Sequence, residues 1–434
     1  MKILFIYPSI SRNLKFSSRI LKPLAIQPLA FAVLSGLMPK EWGKKFYDER
    51  IEAINFKENC DLVAISVETY NAKRAYEVSK IFRDAGRKVV LGGFHPTLCP
   101  DEAMLHADSI VVGEAEQVWN KLLSDFKNNT LQKIYKAEDR FNMEKIHTDR
   151  TIFHGKKYYP ISLVESGRGC CFNCDFCSIY SFYKGKYIRR PIEETISEIK
   201  NQPNKFIMFT DDNICADINS SKKLFTALIP LKIKWAAQSS INIHQDEELL
   251  WLIKKSGCLG LLIGFESLDN NNLSLMKKNL RIDYDNAIET FYKFGIRIYG
   301  SFVIGYDFDN KDSIHKMINY AMKKKFFIAN FYQLTPFPGT QIYERLKNEG
   351  RLLYDKWWLD KDYAYGKIVY KPKLMNPKEL ALACWRARKE FYSFFSIIKR
   401  LRFNCEKNSD MLLYFAINMS SKKLAYKRQW LNLG

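Results

Sequence analysis

Three thiols stand at positions i, i+4 and i+7 in the stretch Gly167-Arg168-Gly169-Cys170-Cys171-Phe172-Asn173-Cys174-Asp175-Phe176-Cys177. Thiolates are soft ligands suited to iron and zinc, and this spacing lets one short loop turn three sulfurs toward a common point. No thiol or imidazole follows nearby to close a four-ligand set around Cys170, Cys174 and Cys177, so one metal position would stay open for chemistry. Structural zinc is the competing reading, but zinc sites are normally closed by paired CxxC or Cys/His elements. A disulfide is disfavoured, because thiols so spaced in a chain without a secretory signal point to a reducing compartment. Cys171 reads as a bystander thiol.

At these residues the sequence resembles the radical S-adenosylmethionine (radical SAM) superfamily, whose CxxxCxxC loop carries a [4Fe-4S] cluster. The resemblance implies an open iron that chelates the amino and carboxylate groups of SAM. An electron from the cluster then cleaves the sulfonium and yields a 5′-deoxyadenosyl radical that takes hydrogen from a substrate. Cys171 departs from the family, which commonly has Pro there. Arg168, beside the loop, could offset cluster charge or anchor a carboxylate, or simply form a surface ion pair.

The elements that must hold this loop alternate between strand and helix patterns. Apolar runs at Tyr159–Val164, Lys205–Thr210, Lys234–Ala237, Gly260–Gly264, Arg297–Ile304 and Phe327–Leu334 predict six strands. Helical spacing at Ile192–Lys200, Glu247–Ser256 and Asp283–Phe294 separates them, which suits a partial (β/α)6 TIM-like barrel with its chemistry at the carboxyl ends. Within the resemblance, Asp211 and Asp212 would receive the SAM amine, with a solvated turn or helix cap as the competing reading. Gln238 and Ser240 would meet the SAM carboxylate or ribose, Glu266 would accept from the ribose hydroxyls, and Gly300 and Gly305 would lie on the strand that packs adenine. The stretch Leu334 to Thr340 resembles the sixth-strand exit of one subclass.

Ahead of the barrel, Lys2–Tyr7, Leu62–Ser66, Lys88–Leu91 and Ser109–Val112 predict buried parallel strands, with helices over Asn71–Ala85 and Gln117–Asn128. That is a doubly wound, Rossmann-like α/β domain, whose ligands belong at the carboxyl ends of its strands. With Gly92-Gly93-Phe94-His95-Pro96-Thr97 it is similar to the cobalamin (B12)-binding domain that precedes the cluster domain in one radical SAM subclass. By that resemblance Ser66, Gly92, Gly93 and His95 fall where the cobalamin tail is accommodated; His95 could instead order its loop. The DxHxxG loop that supplies a cobalt-ligating His elsewhere has no counterpart in Pro8 to Lys15. The expected organisation is a cobalamin-binding-like domain over 1–135, a linker over 136–155, a radical SAM core over 156–345 and a mainly helical extension over 346–434.

The 434 residues carry a net charge of +21 and 47% hydrophobic residues, and no uninterrupted apolar run reaches the roughly 18 residues of a spanning helix. The apolar run before Pro8 is too short for a signal peptide, so a cytoplasmic location is expected. The charge raises nucleic acid and anionic membranes as partners, yet Lys is spread over a chain generally rich in Lys, Ile, Asn and Phe. A more local signal lies in Cys384 to Gly434, with 11 Lys/Arg against 3 Asp/Glu among aromatics, which suits peripheral contact with the inner face of a membrane. The expected function is radical C-methylation of an unactivated carbon in a small-molecule, lipid or natural-product substrate. Cobalamin would carry the methyl group, and flavodoxin or ferredoxin would donate electrons. A cobalamin-independent cyclisation, coupling or rearrangement is the second reading. A nucleic-acid-binding metalloprotein is the third; the related tRNA methylthiotransferases are disfavoured, because they carry three further cluster cysteines in a domain where only Cys60 and Cys99 stand here.

Overall fold

The computed structural model describes residues 1–10, 25–138, 142–278, 282–404 and 408–426. They form two compact units, residues 1–163 with 356–365, and residues 164–355 with 366–434. Residues 11–15 of the stretch Pro8 to Lys15, and residues 405–407 and 427–434 of the basic carboxyl-terminal stretch, lie outside the described residues.

The first unit is a six-stranded sheet of β1 (Lys2–Tyr7), β2 (Gly43–Asp48), β3 (Leu62–Ser66), β4 (Lys88–Gly92), β5 (Ser109–Val112) and β6 (Ile134–Lys136). The order is β2-β1-β3-β4-β5-β6, with parallel pairing throughout. Strands covered on both faces must be apolar almost without interruption, and Ile3, Leu4, Phe5 and Ile6 are each 0% exposed. Phe31 packs on Phe5 and Phe46 with ring centroids 5.8 and 4.8 Å apart, each such side chain adding about 1.5–3 kcal/mol by burial. The strand order turns back between β1 and β3, the kind of switch point at which parallel sheets open a crevice.

Two expectations need correction here. The stretch 136–155 is not a linker: Lys136 ends β6, Met143, Ile146, Ile152 and Phe153 are buried, and Asp149 pairs with Lys44 and accepts from Ser35 Oγ at 3.2 Å. Its few apolar residues are the ones that pack, so a polar average concealed a belt around the first unit. Nor does the extension belong wholly to the second unit. Residues 356–365 are part of the first, with Trp357 and Trp358 buried there and Tyr70 beside Trp357 at 6.0 Å.

The second unit begins within β7 (Ser162–Val164). A small antiparallel hairpin follows, β8 (Gly167–Gly169) with β9 (Tyr187–Arg189), and brackets the cysteine loop. The main sheet then takes β10 (Phe206–Phe209), β11 (Lys234–Ser239), β12 (Cys258–Glu266), β13 (Arg297–Ile304) and β14 (Ile328–Gln333). Its order is β14-β13-β12-β11-β10-β7, the six strands expected, in one parallel series. Ile298, Phe302, Ile304, Ala329 and Phe331 form a wholly buried face, with Phe302 stacked on Phe331 at 5.4 Å. Alternation puts Tyr299, Ser301, Asn330 and Tyr332 on the other face.

Helix Pro377–Phe391 starts with a capping box, in which Asn376 and Glu379 each accept the other's backbone N–H. It leads into helices Phe394–Asn404 and Asn408–Tyr426. Their side chains reach the carbonyls along the free edge of β14: Tyr392 donates to Ala329 O at 3.0 Å and Arg388 to Phe331 O at 3.3 Å. Just before that strand, Arg400 donates to Phe326 O at 2.7 Å and Asn418 to Phe327 O at 3.3 Å. Backbone acceptors buried without a strand partner need such donors. Among the described residues no helix is long and apolar enough to cross a membrane.

Candidate functional site

The cysteine loop is held from three sides. Asp211, after β10, is fully buried and accepts from Ser166 N at 2.8 Å and Ser166 Oγ at 2.7 Å, with Arg189 of β9 at 3.5 Å. Asp212 accepts from Gly169 N at 2.8 Å, and Asn213 Nδ2 reaches Cys170 Sγ at 3.8 Å. On the far side, Asp175 N donates to Met276 O at 3.1 Å, and Tyr306 OH donates to Asp175 Oδ1 at 2.5 Å. The loop itself is too short for regular structure, and these bonds replace the ladder it lacks.

Cys174 is buried and Cys170 and Cys177 half-buried, all reduced, while Cys171 is exposed. The Cys171 thiol donates to Cys170 and holds it below the usual thiol range, while Cys171 itself is pushed up. Burial raises Cys174 to about 12 and Cys177 to about 11. Ligation requires thiolates, so a metal centre must displace these protons. Among the described residues no three His, Cys, Asp or Glu side chains converge closely enough for a single metal ion. Three soft thiols on one loop are the donor set an iron-sulfur cluster takes.

The remaining positions after the barrel strands divide into two groups. Asp211 is a buckle for Ser166 and Arg189, its carboxyl raised to about 6 by burial. Gly300 lies on the outer face, where a Cβ would collide with Phe326, and Gly305, at φ 115°, is covered by Tyr370, whose hydroxyl donates to its carbonyl at 2.7 Å. Ser240 spends its hydroxyl on Asn242 at the start of a short helical turn. Arg168 pairs with Glu165 at 2.7 Å. Gln238 by contrast has an exposed side chain, and Asp212, pushed up to about 7 by burial, sits against the loop. Glu266 ends β12 in an ion pair with Lys278 at 2.6 Å. Lys278 carried no signal in the sequence: it is one of two adjacent lysines, and only the tertiary fold reveals its partner.

In the first unit, Gly93 is fixed at φ 107°, where a Cβ would lie 2.9 Å from Val67 O and 3.3 Å from Ser66 Oγ. Gly92 meets only an ordinary 3.7 Å contact with Val111, so space does not demand glycine there. Ser66 is half-buried at the end of β3. His95 is packed into the loop that follows β4. It is 0% exposed, and its ring nitrogens lie 3.3 Å from Thr69 Oγ1, 3.1 Å from Tyr76 OH and 3.1 Å from Glu102 Oε1. Glu102 also accepts from Trp358 Nε1 at 2.9 Å and pairs with Lys356 at 3.1 Å. The backbone cradle at Gly93 beside Ser66 is compatible with close approach of a cofactor tail.

Comparison with known proteins follows the same division. The radical SAM superfamily model matches residues 164–321, and the B12 binding domain model matches residues 33–123. Bacteriochlorophyllide d C-8(2)-methyltransferase of Chlorobaculum tepidum is 31% identical over 430 residues, covering 92% of this chain and 93% of that protein. The C-12(1)-methyltransferase of the same organism is 29% identical over 412 residues, covering 92% and 89%. The solved structure of TsrM from Kitasatospora setae, a radical S-adenosylmethionine methyltransferase with tryptophan and a SAM analogue bound, superposes with a TM-score of 0.66 at 13% identity. It covers 98% of this chain and 97% of TsrM, and so shares the fold. A [4Fe-4S] cluster and SAM go with the first domain model and cobalamin with the second. The chain is an enzyme that belongs to the radical SAM superfamily, in the branch carrying a B12 binding domain ahead of the cluster domain.

Proposed function

We propose that the protein is a cobalamin-dependent radical SAM C-methyltransferase acting on an unactivated carbon of a small molecule, with the cluster held by Cys170, Cys174 and Cys177. The observation that carries this reading is the pairing of both domain models in one chain that aligns along nearly its whole length with methyltransferases. When bound, the cluster supplies the electron that cleaves SAM, and cobalamin carries the methyl group to carbon. The chain's own residues position these groups. Asp211 and Asp212 brace the hairpin and loop, Asn213 steadies Cys170, and Gln238 and Glu266 present polar groups at the strand ends for SAM. Ser66 and Gly93 leave room for the cobalamin tail.

Protein reconstituted without oxygen with iron, sulfide and hydroxocobalamin will form 5′-deoxyadenosine and S-adenosylhomocysteine from SAM under a strong reductant. Cys174→Ala abolishes 5′-deoxyadenosine and Cys171→Ala does not; equal loss from both would mean a different ligand set. Protein that makes 5′-deoxyadenosine but retains no cobalamin absorbance would favour cyclisation or rearrangement instead.

A one-electron donor of the flavodoxin or ferredoxin kind completes the reading. Peripheral membrane contact is supported by Phe394, Phe395 and Leu412, which are 58%, 76% and 73% exposed, in a tail that carries Lys399, Lys422 and Lys423. Co-sedimentation equally strong with neutral and acidic vesicles would argue against the charge component.

A further inference from the structure

Glu266 is held in an arrangement that several unrelated parts of the sequence combine to produce. Its backbone sits at φ 62°, a left-handed conformation that a residue with a side chain rarely adopts. The register between β12 and β13 shifts between Gly264 and Glu266, which turns the carboxylate back over the strand. Gly264 makes room for it: a Cβ there would collide with Glu266 Oε1 and lie 2.6 Å from Lys278 Nζ. The ion pair that results is nearly enclosed, with side chains 9% and 12% exposed.

Lys278 is placed just as deliberately. Helix Asn270–Leu275 gives way at Met276, Lys277 follows at φ 55°, and Lys278 N donates back to Leu273 O at 2.9 Å, closing the helix end. The same turn is tied to the cysteine loop through Asp175 N and Met276 O at 3.1 Å. One cation is thereby fixed beside the end of β12, on a turn bonded to the backbone next to Cys174.

We infer that Lys278 is a positioning residue with two targets: its ion pair aims the Glu266 carboxylate at the carboxyl ends of the barrel strands, and its fixed charge favours the reduced form of the centre on the cysteine loop. The inference rests on the cluster assignment proposed above. Reduction adds a negative charge, and a neighbouring cation offsets it.

The experiment compares Lys278→Met, Lys278→Arg and Glu266→Gln after anaerobic reconstitution. Iron and sulfide are counted first, then the midpoint potential is read by EPR-monitored titration and SAM affinity by equilibrium dialysis. Lys278→Met moves the midpoint to more negative potential and weakens SAM binding at least tenfold. Lys278→Arg keeps both near wild type, and Glu266→Gln moves the midpoint the opposite way. A fully loaded Lys278→Met protein with unchanged midpoint and affinity, even if less stable, overturns the inference. If that variant takes up no cluster, Glu266→Gln decides, and an unmoved midpoint overturns it. Wild-type protein that assembles no cluster would instead overturn the ligand assignment.

Discussion

His95 and Glu266 occupy similar places in two parallel sheets, each a polar residue at or just past the carboxyl end of a strand and two positions after a glycine, and their environments are opposite. His95, beyond β4, is enclosed on every side, both ring nitrogens engaged by Thr69, Tyr76 and Glu102. Glu266, at the end of β12, is paired through Oε1 with Lys278, and no described residue partners its Oε2. A saturated polar group orders the chain around it, whereas one with hydrogen-bonding capacity left over can serve a ligand. The strand-end rule locates both positions, and only the count of partners separates their uses.

His95→Leu tests the first half of the contrast most severely. Removing one member of a buried, paired network costs about 3–5 kcal/mol, read as a lowered denaturant midpoint for the unfolding of the first unit. Full stability combined with lost cobalamin retention would reverse the assignment. Gly93→Ala follows, at about 1–3 kcal/mol for a side chain forced to positive φ against Val67 O, while Gly92→Ala stays within about 0.5 kcal/mol. Equal effects at both sites would show that the cradle is not what fixes this turn. Trp358→Phe keeps most of the ring packing but removes the donor to Glu102, at about 1–2 kcal/mol by thermal unfolding.

Acid provides a smaller probe. His95, Trp358 and Lys356 outweigh the burial that opposes ionisation, and hold Glu102 down to about 2 from its ordinary 4.5. A depressed carboxylate stabilises the fold above its unfolded pKa and loses that contribution as pH falls through the folded value. Glu102→Gln should therefore flatten the decline in stability between about pH 4.5 and 2, and a decline identical to wild type would count against the network. Smallest of all, Gln238→Ala leaves stability within about 0.5 kcal/mol and shows itself only in SAM affinity.

How far this contrast could be read beforehand depended on what each residue's signal was made of. Arg297–Ile304 was legible end to end, because Ile298, Tyr299 and Phe302 to Ile304 are β-branched or aromatic residues bounded by turn and helix signals. β2, with the sequence Gly-Lys-Lys-Phe-Tyr-Asp, and β6 were not, since edge strands can carry charge on the faces that water reaches. The three cysteines were legible because their spacing is itself the chemistry. Asp211 and Gly300 were assigned to SAM through the family resemblance, whereas their contacts with Ser166 and Phe326, made across long sequence separations, left no local signal. Lys278 and Trp358 left no local trace at all. Their partners lie across a turn or 256 residues away, and only packing brings them together.

The row of donors laid along β14 has a further consequence. A parallel sheet that stops at six strands ends in a line of open acceptors, a template on which another chain could add itself. Arg388, Tyr392, Arg400 and Asn418 occupy that line with groups that cannot propagate a ladder. Cut away after the barrel, the remaining domain would be prone to stack copy upon copy, so the last stretch of the chain is what lets an unfinished barrel exist as a separate molecule.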